Sequence, residues 1–116
     1  RRKQAAFVEV EVTNTTEAVA AARVFAELQA GPDASPCLLL LDNFSAADAK
    51  NTVSRLRDTN LREAVLVEAS GGVSEASIAA YAAAGVDAIS VGALTHSVRA
   101  LDLSARLIPR GEVAGA

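Results

Sequence analysis

Four acids hold the most distinctive chemistry in this sequence. Glu9, Glu11 and Glu68 fall inside short apolar runs, and Asp42 closes another. A carboxylate in a sheet interior is costly unless it meets a cation. The arginines fall mostly in segments that read as helices, loops or tails, and the lysines, Lys3 and Lys50, lie near the start and on a predicted helix. The balancing charge must therefore come from metal ions, a cationic ligand, or basic residues on strands outside this chain. Two glycine-bearing turns offer the opposite chemistry. Ser70-Gly71-Gly72 stands between an apolar run and a predicted helix. Glycine there lets backbone approach an anion, free amides at a helix start face it, and Ser70 adds a hydroxyl donor. Gly92-Ala93 offers a second set of amides. Read alone, both segments also suit ordinary tight turns. His96, the single histidine, either donates to an anion through a ring nitrogen or caps a short helix. Cys37, the single cysteine, lies in an apolar run and reads as a buried thiol of a reducing compartment. No His and Cys grouping has zinc-site spacing.

The elements that position these residues follow from periodicity. Residues Phe7–Val12 alternate, with Val8, Val10 and Val12 on one face and Glu9 and Glu11 on the other, which predicts a strand. Asn14 with Glu17 three residues on starts a helix running to about Ala30, where Gly31-Pro32-Asp33 stops it. Cys37–Leu41 is a continuous apolar run, as expected of a strand buried on both faces of a parallel sheet. Asp42-Asn43-Phe44 is a short loop, and Ser45 with Asp48 starts a second helix to about Asp58. Ala64–Ala69 reads as a third strand, Ser74 as the cap of a third helix to Ala84 with Gly85 just past its end, and Ala88–Val91 as a fourth strand. Gly92-Ala93 and a short helical turn follow, and Leu101–Ile108 is an apolar element of open type. Strand starts near residues 7, 37, 64 and 88 give units of about 23–30 residues, close to a βαβ unit. Right-handed crossovers make the strands parallel, giving either a small open sheet or roughly half of an α/β barrel. A half-barrel whose acidic interior faces a basic other half fits the strand-borne acids.

Composition narrows the class. The 116 residues suit one small domain, and an apolar fraction of 51% with 22% charged is globular rather than disordered. No apolar run approaches the ~20 residues that span a bilayer, and no apolar core follows the basic residues at the start. A net charge of −3 and a pI near 5.1 argue against a general nucleic-acid or anionic-membrane binder. The sequence contains no methionine, so residue 1 is not a translation start and the chain reads as a piece of something longer.

Four motifs then arrive in order: Glu9-Val10-Glu11-Val12, Leu41-Asp42-Asn43-Phe44, Glu68-Ala69-Ser70-Gly71-Gly72, and Ser90-Val91-Gly92-Ala93-Leu94-Thr95-His96-Ser97, followed by Ala100-Leu101-Asp102-Leu103-Ser104. Together, over about residues 6–108, they resemble the C-terminal barrel segment of quinolinate phosphoribosyltransferase (nicotinate-nucleotide pyrophosphorylase, carboxylating). The fold class implied is α/β: parallel βα units forming the C-terminal part of an incomplete, TIM-like barrel. Residues 1–5 and 109–116 are expected to be tails, and the N-terminal sandwich domain and first barrel strands to lie outside the chain. The segment between Glu11 and Asp42 is longer than the family pattern, with the extra residues around Phe25–Pro36, away from the site.

The resemblance implies a reaction: quinolinate and phosphoribosyl pyrophosphate give nicotinate mononucleotide, pyrophosphate and carbon dioxide in NAD biosynthesis. It implies Mg²⁺, a homodimer, a cytoplasmic enzyme, and no nucleic-acid or membrane partner. Glu11 and Asp42 match the family's ribose- and metal-side carboxylates, which hold Mg²⁺ directly or through water. Such carboxylates also suit the positive charge that builds at the ribose C1 as pyrophosphate leaves. Ser70, Gly71 and Gly72 match the 5′-phosphate site, joined by Gly92, Ala93 and His96. Glu68 either pairs a lysine from the missing half or faces the ribose, and Glu9 sits deeper, at a direct role or a buried ion pair. Two rivals stand beside this reading: a related phosphoribosyltransferase-like protein of molybdate-transport operons with another substrate, and a non-catalytic fragment that binds a sugar phosphate. In this segment alone, without the family's carboxylate-binding arginines and lysines, catalysis is not expected.

Overall fold

The computed structural model describes residues 5–32 and 34–92. Ala93, His96 and the apolar segment 101–108 lie outside the described residues. The elements are β1 (Val8–Val12), α1 (Thr15–Gln29), β2 (Cys37–Asp42), α2 (Ala46–Asp58), a 3-10 turn (Arg62–Ala64), β3 (Leu66–Ser70), α3 (Ile78–Ala83) and β4 (Ala88–Ile89). Both long helices start where the sequence signals place them. The Asn14 side chain accepts the Glu17 amide at 2.9 Å, and the Ser45 hydroxyl accepts the Asp48 amide at 3.0 Å, each satisfying an orphan N–H of a first turn. Buried positions recur at helical spacing, Ala18, Ala22 and Phe25 on α1 and Ala49, Val53 and Leu56 on α2, so each helix lays one stripe on the sheet.

The sheet is parallel throughout, in the order β1-β2-β3-β4. Strand order equal to chain order means that each crossover steps the same way. With right-handed connections, all the helices then fall on one face. The burial pattern agrees. Val12, Cys37, Leu39, Leu41, Val67 and Ala69 are buried among Phe25, Val53 and Leu56. Their strand neighbours Glu9 and Glu11 are exposed, and Leu38, Leu40 and Glu68 are only half-buried. Period-two alternation thus sorts one helix-covered face from one face that no described element covers.

Several expectations change. Cys37–Leu41 is not buried on both faces, because Leu38 and Leu40 point to the uncovered side. The third strand begins at Leu66, since Arg62–Ala64 makes a 3-10 turn held by the Arg62 side chain. The third helix begins at Ile78, not after Ser74: the Ser77 hydroxyl accepts the Ser74 amide at 2.9 Å and donates to the Ser74 carbonyl at 3.1 Å, closing a turn first. Gly85 does follow the helix end, at φ +86°. The fourth strand is limited to Ala88–Ile89, although Ser90 still donates its amide to Ala69 at 2.9 Å.

At the N-terminal ends of β3 and β4, one arginine ties the chain together. Arg62 donates to the carbonyls of Val65 at 3.0 Å and Gly85 at 3.1 Å, and pairs with Asp87 at 2.8 Å. The same Asp87 oxygen accepts the Val67 amide at 2.7 Å. Arg62→Ala therefore strips partners from two carbonyls and a carboxylate. In the full-length protein it should cost about 2 kcal/mol, the usual scale for hydrogen bonds to charged groups, with Arg62→Lys recovering only part because an ammonium lacks the planar fork. Denaturant unfolding of the two variants checks this, and wild-type stability in Arg62→Ala would contradict it.

Candidate functional site

The uncovered face collects the acids. Register places Glu11 beside Leu40, Leu40 beside Glu68, and Glu68 beside Ala88, so Glu11 and Glu68 share one level across the sheet. One level nearer the C-terminal ends, Asp42 pairs with Ser70. Glu9 lies one level below Glu11, beside Leu38. All of these side chains follow from alternation on short strands, and all reach the same side. None of the four acids forms an ion pair among the described residues, where the recorded pair is Arg62–Asp87, at the rim opposite Asp42. The strand carrying Glu68 does continue through Ser70, as its spacing requires, and Glu68 accepts a hydrogen bond from the Ser90 hydroxyl. No group of three or more His, Cys, Asp and Glu side chains converges among the described residues.

At the C-terminal rim the loops are drawn against one another. Asn43 takes a left-handed conformation at φ +58°, and its amide donates to the Ser70 carbonyl at 2.8 Å. Gly71 follows at φ +82°. A Cβ there would stand 3.1 Å from the Asn43 nitrogen and 3.5 Å from an Asp42 carboxylate oxygen. The room that glycine leaves at position 71 is thus bordered by the Asp42–Asn43 loop itself, a reason for glycine that needs no ligand. At Gly72, φ +69°, a Cβ would meet only the Asn43 side-chain oxygen at 3.5 Å. Beside this junction lies a hollow of about 290 Å³ lined by Thr13, Asn14, Thr15, Asn43, Phe44 and Asp48. Glu17 braces its edge, accepting from the Thr13 amide at 2.8 Å and the Thr13 hydroxyl at 3.0 Å. The Thr13 amide, then its hydroxyl, hold the Glu17 carboxyl below its ordinary value.

Glu11, Asp42, Glu68, Ser70, Gly71 and Gly72 are therefore brought to one face and rim, and Gly92 stands at the end of the β4 side. Ala93 and His96 fall outside the described residues. Ser90, which bonds Glu68, was not singled out by sequence reasoning, although its two-residue spacing from Ala88 puts it on the acid face. Hard carboxylate oxygens beside a hydroxyl and glycine-rich turns can hold a hydrated divalent cation and a phosphate together. No described helix is long and apolar enough to cross a membrane.

Known proteins resemble this chain. The family model described as the quinolinate phosphoribosyl transferase C-terminal domain matches residues 1–106. A probable nicotinate-nucleotide pyrophosphorylase [carboxylating] of Methanothermobacter thermautotrophicus is 43% identical over 97 residues, covering 84% of this chain and 31% of its own length. The nicotinate-nucleotide pyrophosphorylase [carboxylating] of Mycobacterium leprae is 52% identical over 68 residues, covering 59% of this chain and 23% of its own. A crystal structure of a NadC deletion mutant superposes with a TM-score of 0.58 at 26% identity, over 83% of this chain and 28% of that one. The chain thus spans about a third of the length of the curated relatives it matches.

Two outcomes follow from the rim geometry. Gly71→Ala and Gly72→Ala both impose a left-handed Cβ, costing about 1–2 kcal/mol, but only Gly71→Ala also presses on the Asn43 backbone. Gly71→Ala should therefore be the more destabilising in unfolding measurements, and equal losses would contradict the close approach. Glu17 has a lowered folded pKa, so its stabilising bonds to Thr13 persist above the unfolded value of 4.5 and fade as pH falls through the folded one. The thermal midpoint gap between wild type and Glu17→Gln should be constant at higher pH and shrink in acid. A gap that widens in acid would reverse the assignment.

Proposed function

The chain belongs to the quinolinate phosphoribosyl transferase family, and on that premise we propose that it is the C-terminal barrel segment of an enzyme making nicotinate mononucleotide from quinolinate and phosphoribosyl pyrophosphate. The observation that carries this reading is the gathering of Glu11, Asp42, Glu68 and Ser70 on one uncovered face, with the Gly71-Gly72 turn at the rim above them. Departure of pyrophosphate builds positive charge at the ribose C1. Fixed carboxylates stabilise that charge more than they stabilise the uncharged C1 of the ground state, which is what accelerates the step. Asp42, held against Gly71, and Glu11, one level below it, take this role. Ser70, Gly71 and Gly72, with Gly92, Ala93 and His96, hold the 5′-phosphate and so fix the ribose. Glu68, oriented by Ser90, faces the ribose or a lysine supplied from outside the chain.

The donor set suits Mg²⁺, which prefers hard oxygens, keeps several waters, and needs only one or two carboxylates when a pyrophosphate completes its shell. Glu11 and Asp42 would hold it, directly or through water, and its charge would ease departure of the pyrophosphate. Quinolinate is a dianion, and among the described residues the acidic face offers it no positive anchor. Its binding groups are then drawn from the rest of the enzyme, in the family's dimeric, cytoplasmic form. Carbon dioxide is lost after the new bond forms, because the quaternised ring nitrogen stabilises the electron pair left on the adjacent carbon, which then takes up a proton.

The test is product formation by the full-length protein. With quinolinate, phosphoribosyl pyrophosphate and Mg²⁺ it should release nicotinate mononucleotide and carbon dioxide. Asp42→Asn and Glu11→Gln should each lower turnover on the order of 10²-fold, the usual cost of one preorganised electrostatic group, and weaken the response to Mg²⁺. Absence of product from quinolinate would overturn the substrate, and wild-type rates in both variants would overturn the site.

A further inference from the structure

The loop that carries Asp42 is fixed from an unexpected direction. Between β2 and α2 it has only Asn43, Phe44 and Ser45, and each is tied down separately. Asn43 donates its amide to Ser70, and Ser45 caps α2. Phe44 precedes the cap, so its carbonyl lies outside the helical hydrogen-bond ladder. That carbonyl accepts the Tyr81 hydroxyl at 2.7 Å, from α3, in a contact where both residues are only 6% exposed. The Tyr81 ring already packs in the core, and phenylalanine would pack equally well there. The hydroxyl is therefore surplus to packing, and its one recorded partner is the backbone two residues beyond Asp42. Because the chain runs from the Ser70–Gly72 turn through the Ser74–Ser77 turn into α3, this bond and the Asn43–Ser70 bond close a ring joining the acid's loop to that turn.

Resting on the function proposed above, we propose that Tyr81 is a positioning residue. Its hydroxyl holds the Asp42 loop against the Ser70–Gly72 turn, so that the acid and the phosphate-side turn keep one fixed spacing. Tyr81 touches neither substrate nor metal and acts through Phe44 and Asn43. A buried carbonyl that loses its donor shifts toward water, and the loop that moves is the one bearing Asp42.

Tyr81→Phe in the full-length protein removes that single oxygen and leaves the ring. Turnover should fall about tenfold, less than the ~10²-fold that a 1 Å misplacement can cost. The Mg²⁺ concentration for half-maximal rate should rise, and the KM for quinolinate should stay as in wild type. Amide hydrogen exchange at Asn43 should quicken, a readout independent of turnover, at temperatures well below the thermal midpoint of the variant. In an Asp42→Asn background the same substitution should cost little more, because both changes act on one group. Wild-type turnover and wild-type Asn43 exchange in Tyr81→Phe would overturn the inference while leaving the site intact. So would an undiminished tenfold loss in the Asp42→Asn background. Wild-type turnover in Asp42→Asn alone would instead remove the reading of Asp42 on which the inference rests.

Discussion

One-way stepping of parallel strands governs everything else in this molecule. Each crossover adds the next strand on the same side of the last, so the order β1-β2-β3-β4 leaves every described helix on one face. That face receives the valines, leucines and alanines that become the core. The other face must then take whatever the alternate positions hold, and in this sequence they hold carboxylates beside Leu38, Leu40 and Leu66. An acid is tolerable there because nothing among the described residues closes over it. The same topology brings the C-terminal ends of the strands to one rim, where the loops meet.

At that rim the backbone, more than the side chains, sets the geometry. Asn43 and Gly71 occupy left-handed conformations side by side, and the two loops approach to a distance that a Cβ would disturb. Asp42 and Ser70 are adjacent in register and are also linked through the bond from Asn43 to the Ser70 carbonyl. Tyr81 adds a third tie from the far side of the core. The acid and the glycine turn therefore behave as a single part, although they lie nearly thirty residues apart in the chain.

Local signals in the sequence translated well into structure. The alternation of Val8 to Val12, the Asn14 and Ser45 caps, and the glycine after α3 each depend on neighbours within a few residues, and each appears where expected. Within β1, strand period alone puts Glu9 and Glu11 on one face; that Asp42 and Glu68 share it depends on the register between strands. Signals that depend on distant partners were not legible. Leu38 and Leu40 look identical in sequence to Leu39 and Leu41, and only the position of the helices separates them. Nothing near Tyr81 announces Phe44 as its partner, and nothing near Ser90 announces Glu68. At Gly71 the residue type was informative and its neighbour was not: the sequence suggested room for an anion, and the structure borders that room with Asn43.

The Arg62–Asp87 clamp and the segment after α1 both sit toward the rim opposite Asp42 and Gly71. This divides the molecule between two kinds of inheritance. Changes in the length of the connection between Gln29 and Cys37, or in the exposed apolar residues Val24 and Leu28, alter the end of the molecule that lies away from Asp42 and Gly71. Lineages can lengthen, shorten or recolour that end by drift, provided the clamp survives. At the other end a single added methyl at Gly71 already presses on the Asn43 backbone and takes a strained left-handed conformation. Divergence in this chain should therefore be graded along the strand axis, permissive at the bottom and frozen at the top, and two descendants could differ widely in sequence while sharing an unchanged rim.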